Sequence, residues 1–189
     1  MDEIESPDES TDEPLDDSPA RVCPFRVAVD TREQAPYRFL NVDPWIVVPL
    51  QTDVPLATGD YSICGFEDRL TIERKSMPDL LGSITAGRER FEREFERMAM
   101  IARHQDGGFA AVVVEAELSD IKDYCDRPGS LLTFSSVIGT VNSWAIRYGV
   151  HWWFCPGRRF AEILTLKLLC QFWRIEKNRV ASQIKGVTQ

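Results

Sequence analysis

The chain has 189 residues, 43% hydrophobic and 28% charged, enough for one domain with a buried core and short extra segments. No apolar run approaches the ~20 residues of a membrane helix, and no basic-then-apolar leader opens the chain. A membrane span and a secretory signal are therefore excluded, and a cytoplasmic protein is expected. The net charge of −8 belongs to one segment. Residues 1–20 hold nine acids and no Lys or Arg, which leaves 21 acids against 22 bases in the remainder, 17 of those bases arginine.

That acidic segment also contains Pro7, Pro14 and Pro19 and has almost nothing to bury. Residues 1–22 read as a disordered acidic tail that would repel phosphate and is free to dock on a basic protein partner. Five scattered cysteines, without a close CxxC pair, fit buried reduced thiols rather than a disulfide framework or a zinc site.

Residues 25–30 (FRVAVD) alternate and end on an acid, as a strand running out to an edge would. Residues 31–39 form a polar loop with Pro36, and 45–50 (WIVVPL) are a second apolar run that Pro49 confines to an edge or an end. Residues 59–64 and 69–75 are short strands joined by a turn at 65–68. Ser76 and Pro78 mark the start of a helix.

From 88 to 103 the pattern is helical, with Phe91, Phe95, Met98, Ala99 and Ala102 on one face and Glu89–Arg93 and Arg90–Glu94 as outer pairs. Gly107 and Gly108 end it. Residues 109–114 (FAAVVV) fit a strand covered on both sides. A loop with Pro128 and Gly129 leads to an amphipathic helix from Phe134 to Tyr148. A short strand at 151–155 (HWWFC) precedes a last helix, from Phe160 to about Lys177, that is apolar on more than one side. Strands first and then alternating β and α elements predict a mixed central sheet flanked by helices, an α/β fold.

The chemistry concentrates between Gly59 and Arg90. If the two short strands pair, Asp60 and Glu73 sit on neighbouring strands, and two converging carboxylates repel unless a cation lies between them. An oxygen-only set with room for water suits Mg²⁺, with Mn²⁺ as substitute. Lys75 lies two residues after Glu73 and so on the same face. An ammonium there can orient a water, help remove its proton or steady a phosphate.

Asp60 followed by Glu-x-Lys on the next strand is similar to the active site of the restriction-endonuclease-like superfamily. More closely, Gly59-Asp60-Tyr61 and Glu73-Arg74-Lys75-x-x-x-Asp79 resemble the XPF/Hef family of structure-specific DNA endonucleases. Val29-Asp30-Thr31-Arg32-Glu33 looks like that family's first strand end, and Leu80 to Ile84 with Gly87-Arg88 continue the likeness. It covers residues 26 to 175.

The resemblance implies a restriction-endonuclease-like fold and a Mg²⁺-dependent endodeoxyribonuclease that cuts flap, fork or other branched DNA in repair, recombination or replication. Asp60 and Glu73 would be metal ligands, joined by the Arg74 carbonyl, and Lys75 the catalytic lysine. Asp30 and Glu33 would support the metal or its water, with Asp30 counted among the ligands. Arg32, Arg74 and Arg88 would face DNA phosphate or brace carboxylates, and Asp79 would cap a helix or hold nearby cations. A homodimer through the last two helices is also implied. Relatives carry a tandem helix-hairpin-helix module after this domain, and no stretch here has that form. The expected organisation is a tail at 1–22, a nuclease domain at 23–180 and a C-terminal tail at 181–189.

Other readings stand beside these. The same fold could serve as a non-catalytic DNA-junction scaffold, although an intact carboxylate set argues against it. Arg88, Arg90, Arg93 and Arg97 fit an ion-paired solvated face, with interleaved glutamates, better than a DNA stripe. Trp152, Trp153 and Phe154 fit core packing better than base stacking. His104 and His151 have no metal-spaced partners.

Overall fold

The computed structural model describes residues 21–40, 42 and 46–187, so most of the expected acidic tail lies outside the described residues. In chain order the elements are β1 (Arg21–Val22), β2 (Val27–Asp30), β3 (Ile46–Val47), β4 (Leu50–Val54), β5 (Tyr61–Ile63), β6 (Leu70–Lys75), α1 (Met77–Ile84), α2 (Arg88–Ala102), β7 (Phe109–Val114), α3 (Leu118–Cys125), α4 (Phe134–Tyr148), β8 (His151–Phe154) and α5 (Arg158–Val187). Six strands form one sheet in the order β4-β2-β5-β6-β7-β8. The β2–β5 and β5–β6 pairs are antiparallel and the others parallel, so the mixed α/β sheet predicted from the order of elements forms.

Strand alternation sorts side chains onto two cores. Leu70, Ile72, Tyr61, Ile63 and Val113 face α5, whose Leu166 and Leu169 complete one cluster. Ala110, Val112 and Val114 face the other way, against Leu80 of α1, Phe95 of α2 and Trp144 of α4. The run at 109–114 is therefore apolar throughout because β7 is covered on both faces. Each fully buried Val there contributes ~1.5–3 kcal/mol from burial alone.

Several details depart from the sequence reading. Arg21 and Val22, placed in the tail by sequence, pair in parallel with β3. β2 lies inside the sheet with all four residues buried, not at an edge. The run at 45–50 splits into β3 and β4 around Pro49, which lacks an N–H and contributes only its carbonyl, accepting from Val27 N at 2.9 Å. α3 occupies part of what reads as loop. It buries only Ile121, too little for a periodic signal, and its start is marked by the reciprocal cap between Glu117 and Asp120. α5 continues through Val187, into the stretch read as a C-terminal tail.

The α1 start is as expected: Ser76 caps it and accepts from Asp79 N. Trp152 and Phe154 pack into the α2-side core, as core packing predicts, while Trp153 is partly exposed. All five cysteines are free thiols. Among the described residues no helix is long and apolar enough to cross a membrane.

Candidate active site

The β5–β6 pairing creates the centre of the site. Asp60 N donates to Ile72 O at 2.9 Å, and Tyr61 lies opposite Ile72, which sets Asp60 beside Glu73 on the α2-facing side. Gly59 makes the entry possible. Its φ is +73°, and a Cβ there would overlap Thr71 Oγ1 and crowd the Ile72 carbonyl, so only glycine fits the bend before Asp60. The Gly-Asp order is thus a backbone requirement as much as a chemical one.

Asp60 Oδ2 accepts from Arg74 N at 2.7 Å, and its other oxygen accepts from no donor among the described residues. Burial pushes the Asp60 carboxyl well above its ordinary range, and the neighbouring Glu73 and Glu33 charges add to this. Glu73 is raised as well, first by burial and further by Glu94, against the opposing pull of Lys75. These two carboxylates lie too close, in too little water, to be comfortable as a bare anionic pair.

Lys75 Nζ donates to Glu73 Oε1 at 2.7 Å and sits 4.1 Å above the Phe91 ring, so the pair shares a face as strand alternation requires. Burial opposes its charge, but the Glu73 carboxylate outweighs this and holds Lys75 as an ammonium.

Arg74 points to the opposite, α5-facing side. Its Nε and Nη2 donate to the Glu115 carboxylate at 2.7 and 3.2 Å, and its Nη1 reaches Glu33 at 3.3 Å. The Tyr37 hydroxyl at 2.9 Å and Arg158 Nη1 at 3.3 Å also converge on Glu115. Glu33 Oε1 additionally accepts from Ala35 N, so Glu33 orients Arg74 and the following turn.

Asp30 has both of its oxygens bonded to donors of this chain. Oδ1 accepts from Arg32 N at 2.8 Å and Nε at 2.7 Å, and Oδ2 from Arg32 Nη2 at 3.0 Å and Leu56 N at 2.8 Å. Burial works against its charge, yet these donors outweigh it and hold the carboxyl below its usual range. Asp30 and Arg32 together brace the turn after β2, and Arg32 also clamps the Leu56 carbonyl. Asp79 is a helix-start acid bonded to Ser76 Oγ. Arg88 is occupied by Glu92 at 3.2 Å and lies over the Trp144 ring, so it fastens α2 to α4.

The structure brings Asp60, Glu73 and Lys75 together, as strand pairing and alternation predict, and adds Glu94, Glu115, Tyr37 and Arg158 around them. Glu115 immediately follows β7, and its N–H donates to Lys75 O. An acid ending a buried apolar strand is the signal for Glu115 in the sequence. Glu94 was readable as the helix residue one turn after Phe91.

A hard divalent cation fits this donor set. The free oxygen of Asp60 and the destabilised Asp60–Glu73 pair supply the charge it requires. No group of three or more Asp, Glu, His or Cys side chains is arranged to hold a metal among the described residues. Two carboxylates match the Mg²⁺ habit of taking one or two protein carboxylates and completing its shell with water and phosphate.

Residues 29–166 match the ERCC4 domain. XPF from Aeropyrum pernix in complex with DNA is similar in structure, with a TM-score of 0.55 and 19% identity over 80% of this chain and 66% of that one. XPF from Aeropyrum pernix also matches at a TM-score of 0.54 and 21% identity, over 78% of this chain and 60% of that one. The chain thus spans about two thirds of their length or less. No curated protein matches it. With the motif-bearing strands inside the matched residues and the sheet superposing, the chain belongs to the ERCC4 domain family and has the XPF nuclease fold.

Proposed function

We propose that the protein is a Mg²⁺-dependent DNA endonuclease that hydrolyses phosphodiester bonds at branched, flap or fork DNA. The observation that carries this reading is the half-buried Asp60 beside the buried Glu73, with the Lys75 ammonium held against Glu73. Asp60, Glu73 and the Arg74 carbonyl would hold Mg²⁺ or Mn²⁺, which when bound supplies Lewis-acid polarisation of the scissile phosphate. Lys75, kept protonated, offers positive charge to the phosphate and a donor that orients the attacking water. Phe91 excludes solvent from one side of that ammonium. A non-catalytic scaffold has no use for two raised carboxylates, whose burial costs stability.

Cleavage of a panel of flap, fork, splayed-arm and linear DNAs tests the reading, in Mg²⁺, Mn²⁺ or EDTA. Cutting is expected in both metals, none in EDTA, and preference for the branched substrates. Lys75→Ala should slow cutting by at least ~10²-fold, the lower bound for a positioned acid–base group. A loss below tenfold would reduce Lys75 to a phosphate contact.

The same reading includes a homodimer through α5 and α4. Phe160 and Ile175 of α5 are 54% and 55% exposed, and Ile146 of α4 is 86% exposed. Phe172 of α5 faces inward instead, buried against Phe66 and under Arg69. Light scattering at micromolar concentration should show a dimer that Ile175→Glu dissociates without unfolding. A strict monomer in the parent protein would remove this part of the proposal.

A further inference from the structure

The outer face of α2 does not make the ion pairs its sequence offers. Neither Glu89–Arg93 nor Arg90–Glu94 forms a bridge among the described residues; the only i,i+4 pair on this helix is Arg88–Glu92. The glutamates are diverted inward. Glu92 also accepts from Trp144 Nε1 at 3.1 Å, and Glu94 turns toward Glu73. Four arginines are left lining one groove between α2 and the end of α4: Arg93, Arg97, Arg103 and Arg147, around a volume of about 530 Å³. Glu96 is the single acid in that lining, and none of the four arginines has a carboxylate partner among the described residues.

We propose that this α2–α4 groove seats the sugar-phosphate backbone of a DNA arm leading away from the cleavage site. The inference rests on the DNA-endonuclease reading above and adds to it the surface that grips the substrate. α2 connects the two places physically. Its Phe91 lies under Lys75 and its Glu94 lies against Glu73, while Arg97 follows one turn later. The nine residue steps from Glu94 to Arg103 rise ~14 Å along the helix, about four base-pair steps of duplex at 3.4 Å each. Arginine suits this use because its planar fork matches phosphate oxygens. Arg103 Nη2 also donates to the Arg147 carbonyl at 3.0 Å, which fixes the two walls of the groove relative to each other.

Charge alone would equally admit the chain's own acidic segment, residues 1–20. Position favours DNA. The groove lies along α2, the helix whose Phe91 and Glu94 border Lys75 and Glu73.

The test is fluorescence anisotropy of the full chain in EDTA, where binding is read without cleavage, using a labelled duplex and a labelled single strand. Arg97→Glu/Arg147→Glu leaves Arg103 and its wall contact in place. It should weaken binding at least ~10-fold at moderate salt and lower the slope of log K against log salt by about 2, one unit for each phosphate contact. The control Arg26→Glu/Arg174→Glu makes the same charge change elsewhere and should alter affinity far less. A loss confined to the duplex places the double-stranded arm in the groove, and a loss confined to the single strand places the unpaired arm there. If the reversal pair fails to fold, Arg93→Gln/Arg97→Gln should still lower the slope by about 2. Unchanged affinity and slope, an equal loss in the control, or a gain in affinity as though an acidic competitor had been released would each overturn the groove. Failure of the parent protein to bind any DNA would overturn the endonuclease reading with it.

Discussion

Glu73→Gln should abolish cleavage and leave a folded, DNA-binding protein. The substitution keeps shape and volume in a buried position where a smaller side chain would leave a cavity. It removes one of the two anionic groups proposed to hold the cation. Loss of several kcal/mol of transition-state stabilisation corresponds to a rate decrease of about 10³-fold or more. Two effects on stability oppose each other. The repulsion between Glu73 and Asp60 disappears, which stabilises the fold. Lys75 loses its anionic partner but keeps an amide oxygen to donate to and the Phe91 ring beneath it. The melting temperature should therefore move little. Single-turnover cleavage and a thermal melt, measured side by side, check both halves. A variant that still cuts within tenfold of the parent would remove Glu73 from the chemistry. One that unfolds would show that the Glu73–Lys75 pair is structural.

The sequence exposed the parts of this site that are local in the chain. Period-two alternation is enough to place Glu73 and Lys75 on one face, and a short polar turn between two apolar runs is enough to pair Asp60 with them. The parts it hid depend on register or on competition between partners. Asp30 has the residue type and the strand-end position of a ligand. Nothing in the Asp-Thr-Arg order shows that Arg32 folds back and occupies both its oxygens. Glu115 lies 41 residues from Arg74, and they meet because β6 and β7 run parallel with Arg74 opposite Val113. The α2 arginines read as ion-paired because the glutamates alternate with them. Which glutamates face inward is decided by Trp144 and by the Lys75 ammonium beside Glu73, contributed by other elements. The last turns of α5 escaped notice for a different reason. Residues 178–183 are largely exposed, so no apolar period marks them, and a helix held by Arg179 to Glu176 and Asp106 looks from sequence like a polar tail.

Glu115→Ala should cost about 3 kcal/mol of stability, roughly 6–12 °C in Tm, without touching a residue proposed to hold the cation. The Glu115 side chain is 10% exposed and its chief partner Arg74 15%, so this is a largely buried ion pair. Cutting it leaves a guanidinium stripped of water with only Glu33 at 3.3 Å and the face of Tyr37 in compensation. Tyr37 loses the acceptor of its hydroxyl, and Arg158 loses one partner but keeps the carbonyls of Ala35 and Pro36. The remaining contact with Glu33 puts the expected loss at the low end of the 3–5 kcal/mol range for breaking a buried pair. Glu115→Gln, which keeps an acceptor for Tyr37, should lose less. The double variant Arg74→Met/Glu115→Met removes both charges and should recover to within ~1 kcal/mol of the parent, because buried pairs are frequently replaceable by apolar groups. Its cleavage should nonetheless stay impaired. Arg74 connects Glu33 to Glu115 on one side of β6, while its main-chain N–H holds Asp60 on the other, so strand and turn lose their cross-brace when the guanidinium goes. Urea unfolding of the three variants, with cleavage rates on the same preparations, separates the two roles. Equal stability of Glu115→Ala and the parent would show that the cluster contributes nothing to the fold. Full activity in the folded double variant would show that it contributes nothing to the site.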